Sequence, residues 1–152
     1  MKKLITSIII LISHLSFSQK SQISNYDIAK NEKVIVDFSK ISKDSLDFKL
    51  NEFMIEMYKD CQNFIPNYLE LSKDFISRTK IIEINSKEIN QFKNISTVAI
   101  KSKCNSELAQ KNAQNFELRT FNPIIYSVDF LKTENQIFRI YNTQYVLFIK
   151  SK

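Results

Sequence analysis

The sequence predicts an α+β domain in which N-terminal helices pack on an antiparallel sheet ending in a three-strand meander. Three observations predict it. Leu46, Leu50, Phe53, Met54, Met57, Tyr58 and Cys61 recur at spacings of three and four, which gathers them on one face of a helix. Short apolar runs bounded by polar breaks occur at "KVIVDFS" and "KIIEI", as strands require. The C-terminal stretch "FLKTENQIFRIYNTQYVLFIK" holds three apolar runs parted by Thr133-Glu134-Asn135 and Asn142-Thr143.

The elements follow in chain order. "MKKLITSIIILISHLSFSQK" carries a basic start (Lys2, Lys3) and an apolar run from Leu4 to Leu15. That run is shorter than the ~20 residues a membrane-spanning helix needs. Ser16 and Ser18 place small residues at the −3 and −1 positions of a cleavage site before Gln19. Residues 1–18 therefore read as a secretory signal, with a single membrane anchor as the competing reading. No cysteine follows the apolar run, which argues against lipid attachment. Residues 19–32 are polar and aperiodic and read as a disordered lead-in, so one domain is expected over residues 33–150.

Val34, Ile35, Val36 and Phe38 predict a first strand, and "ISKDS" a loop. Ser45 is a suitable N-cap for a helix over about 45–62. Pro66 ends that helix or opens a second one over about 66–77. "KIIEI" (80–84) and "ISTVAIKSK" (95–103) predict strands, while "SKEINQFKN" fits a short helix or a loop. Ala109, Ala113 and Phe116 stand at helical spacing.

A glycine-free chain must build its turns from other residues, and this chain of 152 residues contains no glycine. Asparagine tolerates left-handed backbone better than other non-glycine residues, so Asn135 and Asn142 are the expected turn formers. A three-residue loop at 133–135 sets Phe130 opposite Phe138, Val128 opposite Ile140 and Asp129 opposite Arg139. A two-residue turn at 142–143 sets Ile140 opposite Tyr145 and Phe138 opposite Leu147. Both turns put the same apolar residues on one face, and a slip of one residue would break the agreement. Ile137, Val146 and Phe148 fall on the opposite face. Either another element covers them, or they form an interaction patch.

Composition limits function. Hydrophobic residues make up 43% and aromatic residues 12%, which suits a folded core. Net charge is +6, and +4 without Lys2 and Lys3. The charge is mostly lysine scattered among acids, with none of the clustering of a nucleic-acid binder, so no nucleic-acid partner is expected. The absence of glycine excludes a P-loop, a dinucleotide fingerprint and a Gly-x-Ser-x-Gly elbow. The single histidine, His14, lies in the signal segment, which removes Ser-His and Cys-His catalysis and imidazole zinc ligands. No metal, cofactor or catalytic residue is implied.

Cys61 and Cys104 are the two cysteines, and an exported pair most simply forms a disulfide. Two unpaired buried thiols are the other possibility. Carboxylates remain for chemistry: Glu52 with Glu56, and Glu70 with Asp74, stand at i, i+4 on the two helices. Such pairs can serve as acid and base on a glycan if they share a cleft. Asp44-x-x-Asp47 reads as helix-start charge, Met54 and Met57 as core, and Asn94-Ile95-Ser96 as a bare glycosylation triplet.

The segment "NPIIYSVDFLKTENQIFRIYNTQYVLFIK", with the signal ending "SFSQ", resembles small exported proteins of unknown function from AT-rich Gram-negative bacteria, over the last fifth of the chain. The resemblance implies a C-terminal antiparallel meander and no known activity. A cystatin-like or nuclear-transport-factor-like cone is a specific form the fold could take. The function expected is that of an exported, periplasmic or extracellular, non-enzymatic protein that binds an envelope partner or a small ligand. The alternative is a carboxylate-dependent hydrolase acting on envelope glycan.

Overall fold

A computed structural model describes residues 33–84, 87–110 and 116–152. The signal and lead-in read from residues 1–32 lie outside the described residues, as do Asn85-Ser86 and 111–115. The expected α+β class holds. Strand β1 (Lys33–Asp37) leads to helices α1 (Lys43–Met57) and α2 (Ile65–Ser77), then β2 (Thr79–Glu83), β3 (Lys93–Asn94), β4 (Gln136–Arg139) and β5 (Tyr145–Ile149). The five strands form one sheet in the order β1-β2-β5-β4-β3.

Helix α1 is capped by Ser42 rather than by Ser45. The Ser42 hydroxyl accepts from the Ser45 amide at 3.4 Å, satisfying one of the free donors of the first turn. It ends at Met57, so Tyr58 is its C-cap and Cys61 has left the helix. Its stripe Leu46, Leu50, Phe53, Met54 and Met57 is buried as the periodicity requires. Pro66 sits in the first turn of α2, where its missing amide costs nothing. Phe75 and Ile76 of α2 complete the layer against the sheet.

The sheet is not the meander expected. The second turn behaves as read: Phe138 pairs with Leu147, and the Ile140 amide donates to the Tyr145 carbonyl at 2.8 Å. The first does not. Residues 124–132 form no strand. Pro123–Ile125 is a 3-10 turn, and the only pairing there is an isolated bridge between Ile100 and Tyr126. Asp129 caps the Leu131 amide locally, and Arg139 bonds Asn90 and the Thr143 carbonyl, so the Asp129–Arg139 pair does not form. The third neighbour of the hairpin is β3, parallel to β4, while β2 flanks β5 on its other side. The strand expected at 95–103 is likewise replaced by a 3-10 turn, Ile95–Thr97, and that bridge. Of the helix expected near 105–116, a 3-10 segment Ser106–Gln110 is present, and Ala113 lies outside the described residues.

Asn142 is not the left-handed residue of the β4–β5 turn. Tyr141 is, at φ 50°. Left-handed backbone costs a non-glycine residue about 1–2 kcal/mol. Local bonds hold it in place: the Thr143 hydroxyl donates to the Ile140 carbonyl and accepts from the Tyr145 amide, and the Asn94 amide donates to the Tyr141 carbonyl at 2.8 Å. Side-chain bracing thus replaces glycine in this turn.

Alternation along β2 and β5 gives the sheet two apolar faces. Ile81, Leu147 and Ile149 face the helices in the main core. Ile82, Val146, Phe148 and Ile137 face the other way and pack with Ile84, Ile89 and Phe92 in a second core. The proposed interaction patch is therefore buried: Ile137, Val146 and Phe148 are 6%, 1% and 8% exposed. The segment after β2, read as a helix or loop, supplies the cover through the 3-10 turn Ile89–Gln91 and Phe92.

Candidate functional site

With that patch buried, the concave surfaces hold the remaining candidates. One is a cleft of about 640 Å³ between α2, the end of α1, and residues 100–104 and 124–130. Its placement follows from three local structures. The amide of Ser127 donates to Ala99 at 2.8 Å and that of Lys101 to Ile125 at 2.7 Å, which ties the two segments into one wall. The Cys61–Cys104 disulfide, expected from the cysteine count, ties that wall to the α1–α2 junction with Cα atoms 5.3 Å apart. The Asp60 amide adds a bond to the Cys104 carbonyl at 2.8 Å. Helix α2 forms the opposite wall.

The α2 wall is apolar towards solvent. Phe64, Tyr68 and Leu71 line the cleft and remain 42%, 44% and 40% exposed. Tyr68 stacks on Tyr58, ring centres 5.7 Å apart and planes within 11°. Burial, then the neighbouring Tyr68, raises the Tyr58 phenol above its ordinary value.

Lys101 projects into this apolar setting. Its Nζ lies 4.0 Å from the centre of the Phe130 ring and donates to the Ile124 carbonyl at 3.2 Å. Among the described residues, no carboxylate stands within ion-pair distance of it. A cation over a ring gains up to about 2 kcal/mol when desolvated, less than a full counter-ion gives. Loss of water around the ammonium pulls its pKa down to about 8. Lys103 and Ser102, Ser127 and Ser72 supply the other polar groups of the cleft.

A second cleft, of about 490 Å³, lies where β1 meets the start of α1 and residues 118–121. Phe48, 68% exposed, stands at it beside Lys49, Arg119 and Asp44. Lys49 is already engaged by Glu52 at 3.0 Å and by the Arg119 carbonyl.

The two carboxylate pairs read from the sequence, Glu52 with Glu56 and Glu70 with Asp74, are not assembled into either cleft. Glu52 and Glu70 are exposed, and Glu56 accepts from the Asn122 amide at 2.8 Å. Asp74 is held by Arg78 at 3.0 Å, and Asp47 by Lys73 at 2.7 Å. No group of three acidic, cysteine or histidine side chains able to hold a metal occurs among the described residues. No helix among them is long and apolar enough to cross a membrane. The glycosylation triplet is tied up as well, since Asn94 gives its amide nitrogen to Tyr141.

Lys101 escaped the sequence reading because "AIKSK" alternates like a strand, which marks a lysine as a solvated outer position. A signal for the opposite wall was present. Phe64, Tyr68 and Leu71 recur at spacings of four and three, displaced from the Ser72, Phe75 and Ile76 face that α2 buries. An apolar stripe on the outer side of a helix points to a cleft or a partner. Comparison with protein-family models, with curated proteins and with solved structures finds no match to this chain.

Proposed function

We propose that this is an exported, non-enzymatic binding protein that holds a small amphipathic ligand in the cleft between α2 and the 100–104 and 124–130 segments. The observation that carries the reading is the exposure of Phe64, Tyr68 and Leu71 on a concave wall, opposite a lysine. Large apolar side chains gathered on a concavity of about 640 Å³, with a few polar groups among them, match the usual dimensions and lining of a small-molecule site. Concavity favours a small ligand over a flat protein partner. Export is supported by the basic and apolar start of the chain and by the Cys61–Cys104 disulfide, which suits an oxidising compartment.

The test is binding of 1-anilinonaphthalene-8-sulfonate to the purified oxidised protein, followed by fluorescence. Saturable binding is expected, weakened about tenfold or more in Tyr68→Ala and Leu71→Asp, both on the exposed wall. Binding unchanged in both variants would place the dye elsewhere and defeat the proposal.

A further inference from the structure

We infer that the ligand is a monocarboxylate with a flat apolar body, its carboxylate seated on the Lys101 ammonium and its body against the aromatic α2 wall. The inference rests on the reading of the cleft as a ligand site and adds the ligand's chemical class.

Charge decides the sign. The titratable groups lining the cleft are Lys101, Lys103, Tyr58 and Tyr68, and no acid is among them. A cation or a zwitterion would find no anionic partner there. An ammonium has three donors, and Lys101 directs one to the Ile124 carbonyl; among the described residues no other acceptor takes the remaining two. An entering carboxylate supplies two oxygens for them, at charge-assisted strength and away from bulk water.

Shape decides the body. Phe64 and Tyr68 stand on the α2 wall, and Tyr68 is already stacked in parallel on Tyr58, while the two faces of Phe130 are taken by Phe75 at 4.3 Å and by the Lys101 ammonium. Flat rings gain more from such faces than a branched chain does. The second cleft lacks this combination, because its lining includes Asp44 and its Lys49 is engaged by Glu52.

Seating an anion also favours the protonated amine. Lys101 is partly deprotonated around pH 8 to 9 in the free protein, because burial depresses its pKa. Binding there must take up a fraction of a proton.

The experiment compares 2-naphthoate with 2-naphthalenemethanol by calorimetry on the oxidised protein, in two buffers of different ionisation enthalpy at about pH 8.5. The acid is expected to bind about tenfold or more tighter than the alcohol, with proton uptake that depends on buffer. In Lys101→Met, checked for folding by its thermal transition, the acid should fall to the level of the alcohol and the proton uptake should vanish. Equal binding of acid and alcohol by the native protein overturns the carboxylate inference and leaves the cleft as a ligand site. A preference for acid that survives in Lys101→Met also overturns it. Binding of neither probe, together with no binding of the anilinonaphthalene dye, overturns both readings.

Discussion

The hydroxyls of Tyr126 and Tyr141 meet inside the core and hydrogen-bond to each other, fifteen residues apart in sequence. One residue belongs to the Ile100–Tyr126 bridge and the other to the left-handed position of the β4–β5 turn. The contact therefore joins the irregular segment beside the cleft to the strained end of the sheet. Burial, then the bond to Tyr141, holds the Tyr126 phenol well above its ordinary pKa. Removing one hydroxyl leaves the other buried without its partner. Tyr126→Phe and Tyr141→Phe should each cost about 1–3 kcal/mol, and the double variant less than the two together. Urea unfolding of the four proteins checks this, and strict additivity would refute it.

Val146 and Phe148 give a sharper test of the two-faced sheet. Both lie in the second core with Ile82, Ile89 and Phe92. Val146→Asp should destabilise by more than about 4 kcal/mol, because the carboxylate is buried among apolar groups without a partner. Phe148→Asp should behave in the same way. A soluble, cooperatively folding monomer with native thermal stability in either variant would mean that this face is open to solvent.

Legibility in the sequence followed the distance over which the responsible forces act. The buried stripe of α1, strands β1 and β2 and the Phe138–Leu147 register depend on neighbours within one element or one turn, and all are present. Residues 95–103 and 122–131 depend on the rest of the molecule. Their apolar residues read as strand, but Pro123 has no amide for a ladder, and Asn122 turns inward. The Asn122 amide donates to the Phe53 carbonyl at 3.0 Å and to Glu56, while its side-chain oxygen accepts from Ile124. These bonds dock the segment against α1 and leave β4 to pair with Lys93–Asn94. No local pattern announces that pairing, since a parallel partner 45 residues away, Lys93 opposite Phe138, is chosen by packing. The cleft was half visible. The outer stripe of α2 could be read, whereas the burial of Lys101 required knowing that residues 124–130 fold back over it.

The Cys61–Cys104 bond closes a loop of 43 residues that contains α2, β2 and β3. Chain-entropy reasoning assigns such a cross-link about 4 kcal/mol, through restriction of the unfolded chain. Cys61→Ser/Cys104→Ser should lower stability by about that amount in denaturant unfolding. Because the bond also ties the two walls of the cleft, dye binding should weaken under conditions where the variant remains folded. Native dye affinity in the folded variant would show that the wall at residues 101–104 is held by its hydrogen bonds alone.

Lys101 makes a prediction about pH whose sign can be worked through. Its folded pKa is depressed to about 8 from 10.5, by burial. Below pH 8 both folded and unfolded chains carry the proton, and the folded state bears the full cost of a poorly hydrated ammonium. Between 8 and 10.5 the folded state has released its proton while the unfolded state retains it, so stability from this group rises with pH. Above 10.5 both are neutral and the cost is gone. Lys101→Met removes the ammonium while keeping much of the apolar stem. It should stabilise the protein near neutral pH by on the order of 1 kcal/mol, allowing for partial exposure of the amine and for the lost contacts to Phe130 and Ile124. That advantage should shrink as pH climbs from 8 towards 10. Thermal unfolding of both proteins across this range, compared as a difference so that other titrating groups cancel, reads it directly. A difference that is flat in pH, or that grows on the alkaline side, would show that the amine is hydrated and that the cleft does not desolvate it.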